Sequence, residues 1–372
     1  MKLYRMELYK LCHRKIVIIS AFFMFVIQML FCAMKVSEEW TCVDGVLYNG
    51  YEAIEKNRQI TEEFQGVLTD EKVNAIVEKY GFPQEVAQNY GNYRDGNYLN
   101  VFVAEHLSDG FFHGWNEGEY RIATRTYPIA NTELGAAREL TGQEIVLEYT
   151  NGCSVFADML NGGTVLSSIL ILFMASVLFA GERQTKMIPL LFTSKEGRKK
   201  DIYMKIAAVF TVTVCIWSVM VLSCFILCGA IYGFDGLDSL VGMTKITLGL
   251  LAKSWSVSIW TVRHFLAVVM FRSFISVIML CATTIYISAR CRSSFHAVYI
   301  ALMFWGLPLL LWFILPDFGI KILIYATPLY QGMCDTIFDI SGIWPMLAQI
   351  GVAWSFFCVV IAGFKYKKQQ TE

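Results

Sequence analysis

The sequence predicts an all-α polytopic membrane domain of six transmembrane helices, with an α+β module inserted after the first. Three observations predict it. Hydrophobic residues make up 56% of the 372-residue chain and charged residues only 17%, where a soluble domain carries about 25% charged. The apolar residues are gathered into six long runs. Between the first and second run lies a polar stretch, residues 35–161, with the composition of a soluble domain.

A spanning helix needs about 20 mostly apolar residues. The first run is Ile16 to Met34, interrupted only by Gln28. It reads as an uncleaved anchor. The basic stretch before it is long for a signal peptide, no A-x-A site follows, and Phe31 precedes Cys32 where a lipoprotein signal needs a small residue. Residues 1–34 thus form the first domain, a basic N-terminal stretch followed by the first span. The module, 35–161, is extracytoplasmic in this reading. Thr69 to Tyr80 predicts an amphipathic helix with Val73, Ile76, Val77 and Tyr80 on one face and Thr69 at the cap. Tyr90 to Tyr98 reads as loop, and Gln143 to Tyr149 as a weakly alternating strand. Its acidic excess is read as ordinary solubility.

The third domain, 162–372, holds spans two to six: Gly162–Gly181, Ile206–Tyr232, Ser273–Ala289, Phe295–Leu315 and Ile343–Phe364. Val257 to Phe271 is apolar but broken by Arg263 and His264. It reads either as an interfacial helix, with Arg272 snorkelling to headgroups, or as an extension of the fourth span. His264 reads as a surface residue at headgroup level.

Net charge is zero, but the charge is distributed unevenly. With both termini in the cytoplasm, the inner pieces hold 17 Lys and Arg in 52 residues, and the outer pieces 14 in 194. Basic residues concentrate on the cytoplasmic side of membrane proteins, so this orientation is expected. It makes the chain a multi-pass cell-membrane protein, of bacterial type.

Of eleven cysteines, Cys32, Cys215, Cys224, Cys228, Cys281 and Cys358 lie in apolar runs and read as small hydrophobes. Cys42 and Cys153 bracket the outer module, where a disulfide between them would staple its base. No Cys/His spacing suits zinc. The sequence has no GxxxxGK[ST], HExxH or GxSxG, and its five histidines are scattered. No ionisable residue lies squarely inside spans one, two, three, five or six, where ion-coupled carriers need them. An enzyme and an ion-coupled carrier both lose ground, and no metal, directly bound cofactor or nucleic-acid partner is expected. If the protein moves a substrate, the energy comes from another subunit.

The most specific feature is the loop after span two, GERQTKMIPLLFTSKEGRKKDIYMK, Gly181 to Lys205. Glu182 and Arg183 stand at the membrane exit. An apolar patch follows (Met187, Ile188, Leu190, Leu191, Phe192), then a basic cluster with Arg198, then Lys205 at the entry to span three. Such a ridge suits docking into a groove on a soluble partner; it equally suits an interfacial helix with no partner.

The loop resembles that of ABC transporter permeases of the type-2 exporter class, which reads roughly E-R-E-x-G-T-L-E-x-L-L-x-[ST]-P-x-x-R-x-x-[IL]…K. Glu182, Arg183, Ile188, Leu190, Leu191, Thr193, Ser194, Arg198, Ile202 and Lys205 match it. Lys186-Met187 replaces its Gly-Thr, Pro189 interrupts the helix, and Lys195 replaces its proline. The N-terminal segment, with Glu7, Leu8 and Lys10, resembles the family's interfacial helix. The connection 317–342, with Pro328, Leu329 and Tyr330, resembles its outer re-entrant region.

The resemblance implies an exporter permease lacking its own ATPase. It would pair with a second permease chain, identical or similar, in membrane lipid. Each chain would sit on an ATP-binding subunit that holds the ATP, with Glu182 and the Met187–Phe192 ridge serving coupling. The competing reading is a membrane sensor or anchoring protein that binds a ligand through its acidic module.

Overall fold

A computed structural model describes residues 2–86, 93–112, 120–185, 200–245, 255–314 and 318–368. Among the described residues, six helices are long and apolar enough to cross a membrane. They are α2 (Lys15–Glu38), α7 (Asn151–Gln184), α8 (Lys200–Ile231), α10 (Val262–Ser288), α11 (Ser294–Ile314) and α15 (Trp344–Lys368). Each of the six apolar runs became one helix. A short helix, α1 (Lys2–Cys12), precedes them.

Two compact units divide the chain. One comprises Met1–Gln28, Asp158–Cys224 and Val268–Glu372; the other comprises Met29–Ala157 and Phe225–Ala267.

In the first unit α7 and α10 are the central helices, with 72% of their most apolar stretch buried, against 17% for α8 and α11. The core gathers Leu170, Ile171, Met174, Ala175 and Phe179 of α7, Val277, Cys281 and Ile285 of α10, and Val209 of α8. Small residues let the central backbones approach, as in membrane helix pairs generally. Ser288 Oγ accepts from the Phe179 and Ala180 amides at 3.0 and 3.1 Å and donates to the Ser176 carbonyl at 2.7 Å.

The connection between α11 and α15 carries three short helices: α12 (Phe318–Tyr325), α13 (Pro328–Gly332) and α14 (Ile337–Ile340). Pro328 opens α13 at a position where its missing amide costs nothing. All five residues of α13 are buried.

Arg272 lies within the fourth span, as the second of the two sequence readings has it. The fourth span starts at Val262 and runs without a break through the arginine, so the interfacial reading of Val257–Phe271 gives way to the extended span. Arg272 is 2% exposed and does not snorkel. Protein acceptors satisfy it in place of headgroups. His264 is exposed, on the first turn of α10.

The second unit begins with a hairpin, β1 (Trp40–Val43) and β2 (Val46–Asn49). Asp44 and Gly45 join them with positive φ at both positions (53° and 76°), the two-residue turn whose twist matches paired strands. Helices α3 (Tyr51–Phe64), α4 (Asp70–Tyr80), α5 (Tyr98–His106) and α6 (Glu133–Thr141) follow. The Thr69 hydroxyl caps α4 by accepting from the Lys72 amide, as its sequence predicts, and Val73 and Ile76 point inward. Asn97 and Asn100 form a reciprocal capping box on α5.

The 143–149 strand shortens to two residues, Val146–Leu147, paired with Gly66–Val67. Residues 90–92 of the predicted Tyr90–Tyr98 loop lie outside the described residues. Asn57, buried in α3, accepts from Thr41 Oγ1 at 2.8 Å and from the Tyr98 amide at 3.1 Å, tying β1, α3 and α5 together. Asp109 accepts amides from Thr124 (2.8 Å) and Arg125 (3.1 Å). The Thr124 amide leads in holding its carboxyl down to about 2, against the opposing effect of burial.

The core of this unit (Val73, Ile76, Leu99, Val103, Leu107, Leu134 and Leu147 among others) also takes in Leu240 and Met243. These two residues come from the stretch between α8 and α10, which the sequence analysis groups with the membrane spans. Cys42, on β1, and Cys153, buried in the first turn of α7, are both free thiols.

Candidate functional site at the ends of the inner loop

The loop that sequence analysis singles out joins α7 to α8. Its middle, 186–199, with Met187, Ile188, Leu190, Leu191, Phe192 and Arg198, lies outside the described residues. Its two ends are described, and a charged cluster holds them together.

Glu182 stands on the last turn of α7, and Lys205 on the second turn of α8. Lys205 Nζ lies 2.5 Å from Glu182 Oε1. It also pairs with Asp201 one helical turn earlier, at the i, i+4 spacing that puts two side chains on one face. Lys205 is 1% exposed and Asp201 3%. A buried ammonium is tolerable only when paired and hydrogen-bonded, and here two carboxylates meet it.

The second oxygen of Glu182 accepts from the Tyr366 hydroxyl at 2.9 Å, which brings in α15. The Tyr366 ring packs on Phe179, with centroids 4.4 Å apart. Arg183 reaches the other way and donates to the Ala289 and Cys291 carbonyls at the turn between α10 and α11. Its guanidinium also lies over the Tyr366 ring, 5.9 Å from the centroid. Glu7 on α1 is buried and accepts from Lys10 at 2.6 Å.

The site is thus a clasp. Both ends of a basic, apolar-ridged loop are fixed to each other and to the ends of three further helices. Among the described residues it contains no nucleophile–base pair; what it does is join the ends of α7, α8 and α15 through charge-assisted hydrogen bonds. Among the predicted residues, the structure brings together Glu182, Arg183 and Lys205. The sequence reading missed Asp201 and Tyr366. The i, i+4 spacing of Asp201 and Lys205 is visible in the sequence, whereas nothing local marks Tyr366.

A family model described as ABC-2 family transporter protein matches residues 1–356. The chain belongs to that family. It is accordingly a membrane transport component of ABC-2 type, and proteins of this type generally work with an ATP-binding subunit. No curated protein and no solved structure matches the chain. Within the ABC-2 family member described here, the match covers Glu182, Asp201 and Lys205 of the clasp but not Tyr366, the six spans as far as residue 356 and the whole insertion.

Proposed function

We propose that this chain is the permease subunit of an ATP-driven exporter. Two such chains, identical or similar, form the translocation path. A separate ATPase, which holds the ATP, drives each through the 182–205 loop and α1. Both termini and this loop face the cytoplasm, and the insertion faces outward. The clasp carries the reading: Glu182, Lys205, Asp201 and Tyr366 join both roots of the loop to three spanning helices. A displacement of the loop by a bound ATPase therefore moves the spans as a set. Family membership favours this reading over that of a sensor or anchor.

The test is copurification with an ATPase subunit encoded beside the chain, with transport followed in proteoliposomes. Leu190→Glu and Leu191→Glu place charge on the ridge and are expected to lower complex formation and transport at least tenfold while leaving the fold intact. Full coupling in both variants would sink the proposal.

A further inference from the structure

Arg272 is the one arginine that the fold buries in the middle of a described span, ten residues into α10. Its guanidinium donates to the Tyr330 carbonyl at 3.2 Å, the Thr336 hydroxyl at 2.7 Å and the Met333 carbonyl at 3.4 Å. All three acceptors are neutral, and all belong to one short hairpin, residues 328–336, between spans five and six. Two of them are carbonyls at the end of α13, where backbone dipoles present negative charge.

Neutral hydrogen bonds tie the same hairpin to other helices. Ser276 Oγ donates to the Pro328 carbonyl at 2.6 Å, the Cys334 amide donates to Asn161 Oδ1 at 2.6 Å, and Gln331 Nε2 donates to the Leu347 carbonyl at 3.0 Å. Gly332 sits so close that an added Cβ would lie 2.7 Å from Ser276 Oγ. The hairpin is seated in a fitted socket, with the Arg272 guanidinium on three of its acceptors and Asn161 Nδ2 donating to its Asp335 carboxylate at 3.5 Å.

We propose that Arg272 is a positioning residue that latches the 328–336 hairpin onto span four, and that release of this latch is a step of the transport cycle. The second clause rests on the permease reading above. A buried guanidinium stripped of its acceptors is strongly disfavoured. The hairpin therefore leaves its seat only when water or an anionic group replaces those acceptors. The latch is thus closed at rest and opens as a unit.

Cys334 is a native reporter. It is 1% exposed and lies within the hairpin, between two of the Arg272 acceptors. Cys281 and Cys358, buried in α10 and α15, report general loosening. The full chain is reconstituted in lipid nanodiscs and treated with a maleimide, and each site is quantified by peptide mass spectrometry. Arg272→Met is expected to speed Cys334 labelling at least tenfold with Cys281 and Cys358 unchanged, and Arg272→Lys to restore most of the protection. If Arg272→Met does not fold, Thr336→Val, which removes one acceptor, is expected to speed Cys334 labelling about threefold. Wild-type labelling rates in the folded variants would overturn the latch.

In complex with the ATPase, ATP is expected to speed Cys334 labelling in the wild type and to change it little in Arg272→Met. A complex that turns over ATP with Cys334 labelled at its resting rate would overturn the role in the cycle. Failure to form any complex would count against the permease reading alone, because the nanodisc measurement judges the latch without the partner.

Discussion

Lys205 sets the energetics of the clasp. Its ammonium is buried between Glu182 and Asp201, so removing it leaves the buried Asp201 carboxylate and the partly exposed Glu182 carboxylate without their shared cation. Breaking a buried ion pair from one side costs about 3–5 kcal/mol, far more than the intact pair contributes over apolar residues of the same shape. Lys205→Met should therefore lower the melting temperature of the detergent-solubilised protein by several degrees. Adding Glu182→Gln to that variant should recover part of the loss, since one of the stranded charges is then gone. A double variant as unstable as the sum of the singles would show that Lys205 and Glu182 do not interact. The local i, i+4 partner, Asp201, is legible in the sequence. Glu182 is not legible as a partner, because an intervening loop must fold back to bring the two together.

At the scale of elements, the start of α7 packs closely against the turn after α8. A Cβ built on Gly152 would lie 2.0 Å from the Gly233 carbonyl oxygen and 3.0 Å from Tyr232 Cβ. The first turn of α7 and the turn after α8 thus pack backbone to backbone, and only glycine fits. Gly152→Ala forces those turns apart, an overpacking cost of about 1–3 kcal/mol. Thermal unfolding of the purified protein checks it. The unchanged melting temperature expected for Gly162→Ala, where nothing lies within 4 Å, is the control. Helix α4 shows the opposite case, an element readable in advance: its apolar spacing and Thr69 cap are local signals, and both are realised. The hairpin at 40–49 was readable too, because Asp44-Gly45 is a strong two-residue turn signal that the sequence reading passed over.

For the molecule as a whole, the charge asymmetry predicts an experiment. With 17 basic residues in 52 on one side and 14 in 194 on the other, the distribution supports the proposal that both termini face the cytoplasm. A fluorescent protein fused after Glu372 should fluoresce, and alkaline phosphatase fused there should be inactive, while phosphatase placed within 35–161 should be active. The reverse pattern would invert the topology and remove the 182–205 loop from reach of a cytoplasmic ATPase.

The sequence by itself determined the number and order of the membrane helices, the presence of an insertion, and the two short charged motifs that frame the inner loop. Hydrophobic runs of spanning length, and residues a turn apart on one helix, are local properties that survive without knowledge of the fold. Only the tertiary structure decided what those charges do. Tyr366 meets Glu182 across 184 residues, and Arg272 finds its acceptors 58 to 64 residues away. The insertion's core draws Leu240 and Met243 from beyond the third span. A buried charge must find a partner wherever the packing places one, and composition does not say where that is. For that reason the sequence leaves Arg272 either reaching for headgroups or lying in an extended fourth span, and only the packing supplies its acceptors in the 328–336 hairpin.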